Sequence, residues 1–223
     1  ARIHTDFGEK YGIPRQAGVV PDLRGEIVFT PEFRDENCLR DIEGFDYLWL
    51  IWGFSGNRDR GWSPTVRPPR LGGNKRVGVF ASRSPVRPNY LGLSCVRLID
   101  IRKYAENGTT LIVGGGDLMD GTPIYDIKPY VPYSDSKPDA RGGFTEDQWP
   151  VLEVVISREL EMKIPPDKRK ALRGVLSQDP RPGYKRNDTG VHGMVFGENN
   201  IRFAVENGVL RVMAVEEAEK VGR

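Results

Sequence analysis

The apolar positions of this chain fall in short runs punctuated by Gly and Pro, a pattern that predicts several short strands joined by tight turns. Glu26–Phe29 (EIVF) is the first strand candidate. Tyr47–Phe54 (YLWLIWGF) is continuously apolar and aromatic. Eight residues are too few for a stable helix, and its β-forming side chains predict a strand buried on both faces. Arg76–Phe80 is a further short strand. From Leu93 to Tyr104 apolar and polar residues alternate, with Leu98 and Ile101 off the strict phase. Asn107-Gly108 is a two-residue hairpin signal, and Thr109–Val113 returns as the partner strand.

Between these runs, residues 3–20 carry Gly8, Gly12, Pro14 and Gly18 and read as loop with short extended pieces. Asn37–Gly44 fits one helical turn. Pro123, Pro129 and Pro132 confine the segment after Gly114-Gly115-Gly116 to an edge or an extended wall. Ser134–Pro150 is polar, with Pro138 and Gly142-Gly143, and reads as a linker. The expected organisation is a β domain over 1–138, a linker over 139–150, and a small α+β domain over 151–223. In that last part Val151–Ile156 is a strand. Pro166–Gln178 is a short amphipathic helix opened by Pro, with Ala171, Leu172, Val175 and Leu176 on one face. Asn207-Gly208 turns a second hairpin between Ile201–Glu206 and Val209–Glu216. The fold class is mainly β, a barrel or sandwich; nothing alternates as βαβ.

Composition adds bounds. With 223 residues, 38% of them hydrophobic and 29% charged, the chain has the makeup of a globular protein. It contains no apolar run long enough to span a bilayer, and its first residues lack an apolar signal core, so a cytoplasmic location is expected. Cys38 and Cys95 are far apart and read as reduced thiols. Only His4 and His192 are present, and a metal site is not expected.

Charge changes the picture more. Gly56–Gly92 holds eight cations (Arg58, Arg60, Arg67, Arg70, Lys75, Arg76, Arg83, Arg87) against Asp59 alone, a local charge of +7 in a chain whose total is +2. A solvated loop could carry scattered charge. These cations, however, are interleaved with Pro, which fixes the backbone, and Gly, which admits close approach, and such loops suit phosphate or carboxylate recognition.

The chain has no G-x-G-x-x-G after a strand, no Walker loop and no G-x-S-x-G. Taken alone, the residues describe a β-barrel that binds an anionic, nucleotide-like ligand. Aromatic faces stack bases, Arg holds phosphate, and a carboxylate such as Asp120 accepts a ribose hydroxyl. Core packing explains most of YLWLIWGF, and a tight turn explains DGTP without excluding a ligand there.

Four motifs in order carry a resemblance: GIPRQAGVVPD (Gly12–Asp22), FDYLWLIWGF (Phe45–Phe54), RPPRLGGNKRVGVFASRSPVRPNYLGLS (Arg67–Ser94) and DLMDGTPIYDIKPYVPYSDS (Asp117–Ser136). Together they closely resemble the TsaA-like family, which includes tRNA N6-methyltransferases. LSQDPRPGY (Leu176–Tyr184) resembles the C-terminal extension of its longer members. The resemblance implies a β-barrel that binds S-adenosylmethionine without a Rossmann fold, and methyl transfer to N6 of threonylcarbamoyladenosine beside the anticodon of tRNA. It implies cofactor contacts at Pro14, Arg15, Gln16, Phe54, Ser55, Arg83, Leu93, Asp120, Gly121, Thr122 and Pro123. It also implies a homodimer with the cofactor near the interface; the small domain over 151–223 is a candidate for tRNA contact. Where many members have His, this chain has Ser55, and NPIG is replaced by Asn89-Tyr90-Leu91-Gly92.

The threonyl carboxylate of such a substrate asks for an Arg fork, for which Arg67, Arg70 and Arg87 are candidates, while Lys75, Arg76 and the remaining cations would hold tRNA phosphates. No residue stands out as general base. The alternative is a non-catalytic module that binds S-adenosylmethionine or RNA in the same pocket.

Overall fold

The structure is a computed structural model that describes residues 1–56, 61–146, 150–182, 185 and 187–218. Of the cations above, Arg58 and Arg60 lie outside the described residues, as do Asp59 and, in the DPRPGY motif, Gly183 and Tyr184.

Six antiparallel strands close into a barrel: β1 (Arg2–Thr5), β2 (Arg24–Val28), β3 (Tyr47–Gly53), β6 (Leu91–Tyr104), β7 (Gly108–Gly114) and β8 (Thr122–Pro129), in the order β1-β2-β7-β6-β3-β8. Closure pairs every strand on both sides and removes the edges that would otherwise invite aggregation. Ile3, Ile27, Leu48, Leu50, Trp52, Val96, Leu111, Val113, Leu118 and Ile124 fill the interior. β4 (Thr65–Val66) and β5 (Val77–Gly78) form a separate two-stranded ribbon.

Several expectations are corrected. Tyr47–Phe54 is not buried on both faces. Leu48, Leu50 and Trp52 point inward, while Tyr47 is exposed and Trp49 and Ile51 are half-exposed on the outer wall. A barrel strand has only one inside; on the outside Tyr47 and Trp49 meet the Tyr130 ring, and Trp49 Nε1 donates to Asp135 at 2.9 Å. Of the two alternatives for the segment around Pro123 and Pro129, an edge or an extended wall, the wall holds. β8 runs between β3 and β1, and its prolines sit in its first and last turns of pairing, where a missing N–H costs least. Asn37–Gly44 forms two 3-10 turns, Glu36–Leu39 and Ile42–Gly44, broken at Asp41 with φ 65°. Of Arg76–Phe80 only Val77–Gly78 is strand; Val79–Ala81 turns as 3-10. The loop expected over 3–20 contains the barrel-closing β1.

After a helical turn α1 (Pro132–Asp135), the second part of the chain forms a sheet of order β10-β11-β12-β9: β9 (Glu153–Val155), β10 (His192–Phe196), β11 (Asn199–Glu206) and β12 (Val209–Glu217), with β9 parallel to β12. Asn207 and Gly208 both have positive φ, 50° and 78°, as a type I′ hairpin turn requires. A short helix, α2 (Arg158–Met162), precedes α3 (Arg169–Ser177), which buries Ala171, Leu172, Val175 and Leu176 in the core that also holds the inner side chains of β10, β11 and β12. Phe7, Val20 and Leu23, from the segment between β1 and β2, are buried in this same core. Gly174 of α3 lies so close to Val20 that an added Cβ would stand 2.6 Å from its Cγ1. Gly197 N–H donates to the Asp6 carbonyl at 2.8 Å, and Lys168 pairs with the Asp6 carboxylate. The N-terminal segment is therefore part of the packing that places its own residues 10–16 at the mouth of the barrel.

Candidate active site

The Arg- and Pro-rich excursion leaves β3 and returns into β6, two strands that pair from Tyr47↔Arg97 to Gly53↔Leu91. Its neck is closed by the Phe54 N–H donating to the Tyr90 carbonyl at 2.8 Å, with Tyr90 held at φ 50°. A bulky residue at positive φ is strained, and at this neck it turns the chain back onto the barrel. Within the excursion, the 3-10 turn Pro69–Leu71 ends at Gly72 and Gly73, φ 69° and 73°.

A pocket of about 690 Å³ opens at this end of the barrel. It is walled by residues of the 10–16 segment, by 52–56 at the end of β3, by the second half of the excursion and the start of β6, and by the loop into β8. That volume is in the range of sites that enclose a nucleotide-sized ligand, roughly 300–1,000 Å³. Gly92 makes the floor possible. An added Cβ there would stand 2.3 Å from Trp52 Cε2, so only glycine lets the indole lie across β6. The Trp52 ring meets Phe54 edge-on at 4.3 Å.

Of the residues expected at a cofactor, Pro14, Arg15, Gln16, Phe54, Ser55, Arg83, Leu93 and Thr122 line this pocket. Arg83 donates to the Gln16 side-chain oxygen, joining the excursion to the N-terminal segment across the opening. Asp120, Gly121 and Pro123 do not line it. Asp120 accepts from the Thr5 N–H at 3.2 Å and meets His4 Nδ1 at 3.1 Å, the Gly121 carbonyl accepts from Arg2 at 2.8 Å, and Pro123 faces Arg2 across the ladder. These three lock the loop to β1, and Thr122 alone of the DGTP motif turns inward.

Of the expected substrate cations, Arg87 lines the pocket and donates to the Ser82 carbonyl at 3.1 Å. Arg70 lines a smaller cavity of about 120 Å³, shared with Pro14, Arg15 and Gln16 on one side and Gln178, Asp179 and Pro180 on the other. Arg67, Lys75 and Arg76 are exposed outside both, and Arg76 donates to Thr65 Oγ1 at 2.8 Å.

Asp117, Lys10, Phe80 and Met119 line the pocket without having been singled out for it. Asp117 opens the DLMDGTP motif and was within reach of sequence reasoning. Its partners were not: Trp52 Nε1 donates to Ser94 Oγ at 2.9 Å, and Ser94 Oγ donates to Asp117 Oδ1 at 2.6 Å, across 42 and 23 positions of chain. Burial pushes the Asp117 carboxyl above the usual carboxylate range, against the pull of the Ser94 hydroxyl, of backbone N–H groups and of the Arg83 charge. Among the described residues no group of three His, Cys, Asp or Glu is arranged to hold a metal ion.

The N-terminal domain of tRNA-methyltransferase O matches residues 2–136, and the TrmO C-terminal domain matches residues 150–218. The chain belongs to the TrmO family. The tRNA (adenine(37)-N6)-methyltransferase of Escherichia coli K12 is 38% identical over 224 residues, covering 96% of this chain and 94% of that protein. A Pyrococcus abyssi protein named "Probable S-adenosyl-L-methionine-binding protein" is 38% identical over 144 residues, covering 65% of this chain and 72% of its own. The crystal structure of TrmO from Pseudomonas aeruginosa superimposes with a TM-score of 0.76 at 30% identity, covering 96% of this chain and 95% of that one. The pocket lies at the end of a barrel, in a chain without a dinucleotide-type glycine motif.

Proposed function

We propose that this chain methylates N6 of threonylcarbamoyladenosine next to the anticodon of tRNA, using S-adenosylmethionine as methyl donor. The observation that carries this reading is convergence. Pro14–Gln16, Phe54–Ser55, Arg83, Leu93 and Thr122, far apart in sequence, border one pocket at the foot of a basic excursion. Kinship to adenine-37 N6-methyltransferases supports the reaction, and the P. abyssi relative supports the donor.

The pocket fits the donor. Trp52 and Phe54 offer apolar surface to an adenine ring, Gln16, Ser55 and Thr122 offer polar groups, and Arg83 and Arg15 are cations for a carboxylate. Bound there, S-adenosylmethionine supplies an electrophilic methyl group on a positive sulfur. The chain's own residues orient the acceptor. N6 of the modified base is attached to a carbamoyl group that delocalises its lone pair, so alignment and removal of its proton matter more than for a free amine. Holding the reactants in line accounts for several kcal/mol of the barrier, about 7–11 at most. Arg87, at the pocket wall, is placed to fork onto the threonyl carboxylate. Arg67, Lys75 and Arg76, exposed on the excursion, are placed for tRNA phosphates. Arg70, at the seam with the C-terminal part, is placed for either.

The protein is proposed to act as a homodimer in the cytoplasm, where tRNA is modified. Leu91, Leu93 and Tyr47 lie on the outer wall of β3 and β6, 43%, 55% and 45% exposed, beside the half-exposed Trp49 and Ile51, and Leu91 and Leu93 also border the pocket. A second copy seated on this wall would cover the apolar strip and complete the pocket rim. The barrel over 1–138 is proposed as the cofactor domain and 151–223 as a tRNA-contacting domain joined by 139–150.

The deciding experiment transfers labelled methyl from S-adenosylmethionine to tRNA with and without the threonylcarbamoyl group, followed by nucleoside mass spectrometry. Methyl on the modified adenosine alone is expected. Cofactor binding with no transfer to either would make the chain a non-catalytic module, and methyl on unmodified tRNA would replace the substrate.

A further inference from the structure

The two histidines are spent elsewhere: His4 sits on β1 against Asp120, and His192 in the second sheet beside Phe203 and Asp188. Among the described residues the pocket wall carries four cations, Lys10, Arg15, Arg83 and Arg87, and one carboxylic acid, Asp117. Its geometry is directional. An indole N–H can only donate, so the Trp52 bond at 2.9 Å requires Ser94 Oγ to accept. The Ser94 proton is then committed to Asp117 Oδ1 at 2.6 Å, and the carboxyl is held as an acceptor facing the pocket. Ser94 is 2% exposed and Trp52 7%, so this relay is shielded from water and fixed by the barrel core.

We propose that Asp117 is the catalytic base of methyl transfer, its carboxylate taking the N6 proton of the target adenine. The inference rests on the reading that this pocket brings that N6 to the methyl donor. In the step, the N6–H bond breaks and its proton goes to an Asp117 oxygen. The nitrogen pair forms the new N6–C bond, and the pair of the broken C–S bond stays on sulfur, which loses its positive charge. The carboxylic acid then returns the proton to water. Positive charge building up on N6 beside these cations is costly, and among the described wall residues the Asp117 carboxylate is the group that can remove it. A carboxyl pushed upward by burial is also a stronger proton acceptor than an exposed one, while the Ser94 hydroxyl and the Arg83 charge favour its ionised form. The charged groups around it are Arg83 on the excursion, Lys10 and Arg15 on the N-terminal segment and Arg87 near the neck; Asp120, three residues on, is turned to β1.

The test compares wild type with Asp117→Asn, which keeps shape and the acceptor for Ser94. Three quantities are read: single-turnover methyl transfer across pH, S-adenosylmethionine affinity by calorimetry, and the Asp117 carboxyl carbon shift against pH in the ligand-free protein. Transfer in the variant should fall about 10²–10⁴-fold, with affinity within roughly threefold of wild type, a change under about 1 kcal/mol. The acid limb of the wild-type profile should coincide with the carboxyl titration. Ser94→Ala should move both upward together, a shift that a purely structural serine would not cause. The proposal is overturned by a variant rate within about tenfold of wild type, by a rate loss matched by lost affinity, or by a carboxyl titrating below the ordinary Asp value near 3.9. Wild-type transfer to some other adenine would sink the substrate reading while leaving the Asp117 comparison intact. Wild type that binds the donor and transfers to nothing sinks both.

Discussion

Gly92 and Asp117 show how single residues set the pocket, and each makes a prediction. At Gly92 a methyl group would stand 2.3 Å from Trp52 Cε2 and 2.4 Å from Cζ2, with the indole pinned by its bond to Ser94. Neither a core indole nor a paired strand can give by that much. Gly92→Ala should destabilise by about 1–3 kcal/mol, read as a lower urea midpoint at unchanged slope, and should weaken cofactor binding because the floor moves. Asp117 has the opposite stability sign. Its carboxyl binds a proton more readily in the folded chain than in the unfolded one, because burial raises its pKa. Its contribution to stability is therefore fully present below the unfolded value near 3.9 and is lost as pH rises through the raised value. Asp117→Asn should match wild type in melting temperature near pH 4 and exceed it near pH 8. A variant that is less stable than wild type at pH 8 would mean that the Ser94 and backbone bonds outweigh the burial. A more stable, inactive variant is what a residue kept for chemistry should give.

At the scale of elements, the described cations of the excursion between β3 and β6 part company, with Arg70 at the smaller cavity. Arg83 and Arg87 face the pocket, and Arg67, Lys75 and Arg76 face outward. Arg67→Ala and Arg76→Ala should each lower the log–log salt slope of tRNA binding by about one and leave S-adenosylmethionine affinity unchanged. A slope that does not move would take these two off the phosphate path.

Much of this arrangement was readable in advance. The Asn207-Gly208 hairpin, the α3 face and the β2, β6 and β7 strands follow from local pattern, because turn chemistry and period are local properties. What escaped was non-local. β1 is four residues whose strand character comes only from pairing with β2 and β8. The placement of Val20 in the core of the second sheet depends on a glycine 154 positions beyond it, and that of Phe7 on Phe196. The Trp52–Ser94–Asp117 relay likewise joins three elements, so no spacing in the chain announces it. Asp120, the carboxylate expected at a ribose hydroxyl, is turned by the backbone to Thr5 and His4 of β1.

The largest scale returns to the unbroken apolar run of β3. Its inner half is explained by the barrel core; on its outer half Tyr47 and Trp49 meet the Tyr130 ring and Trp49 Nε1 donates to Asp135 at 2.9 Å, which leaves Ile51, beside Leu93, as the apolar centre of that wall. Ile51 pairs with Leu93 on one side and Asp126 on the other, so it stands at the centre of the outer wall, and Leu93 connects that wall to the pocket. If a second copy packs there about a two-fold axis, a charge introduced at Ile51 appears twice in one interface, desolvated and beside its own image. Like charges so placed cost several kcal/mol, whereas on a free surface the same substitution is nearly neutral. Ile51→Glu should thus convert a dimer into a monomer in light scattering, with a far-ultraviolet spectrum like wild type. S-adenosylmethionine affinity should fall in step with dissociation, because the pocket rim at Leu91 and Leu93 loses its cover. A dimer that survives the substitution would move the interface elsewhere. A monomer with undiminished affinity would show that one chain completes the pocket by itself, and would leave the outer apolar face of β3 to a different partner.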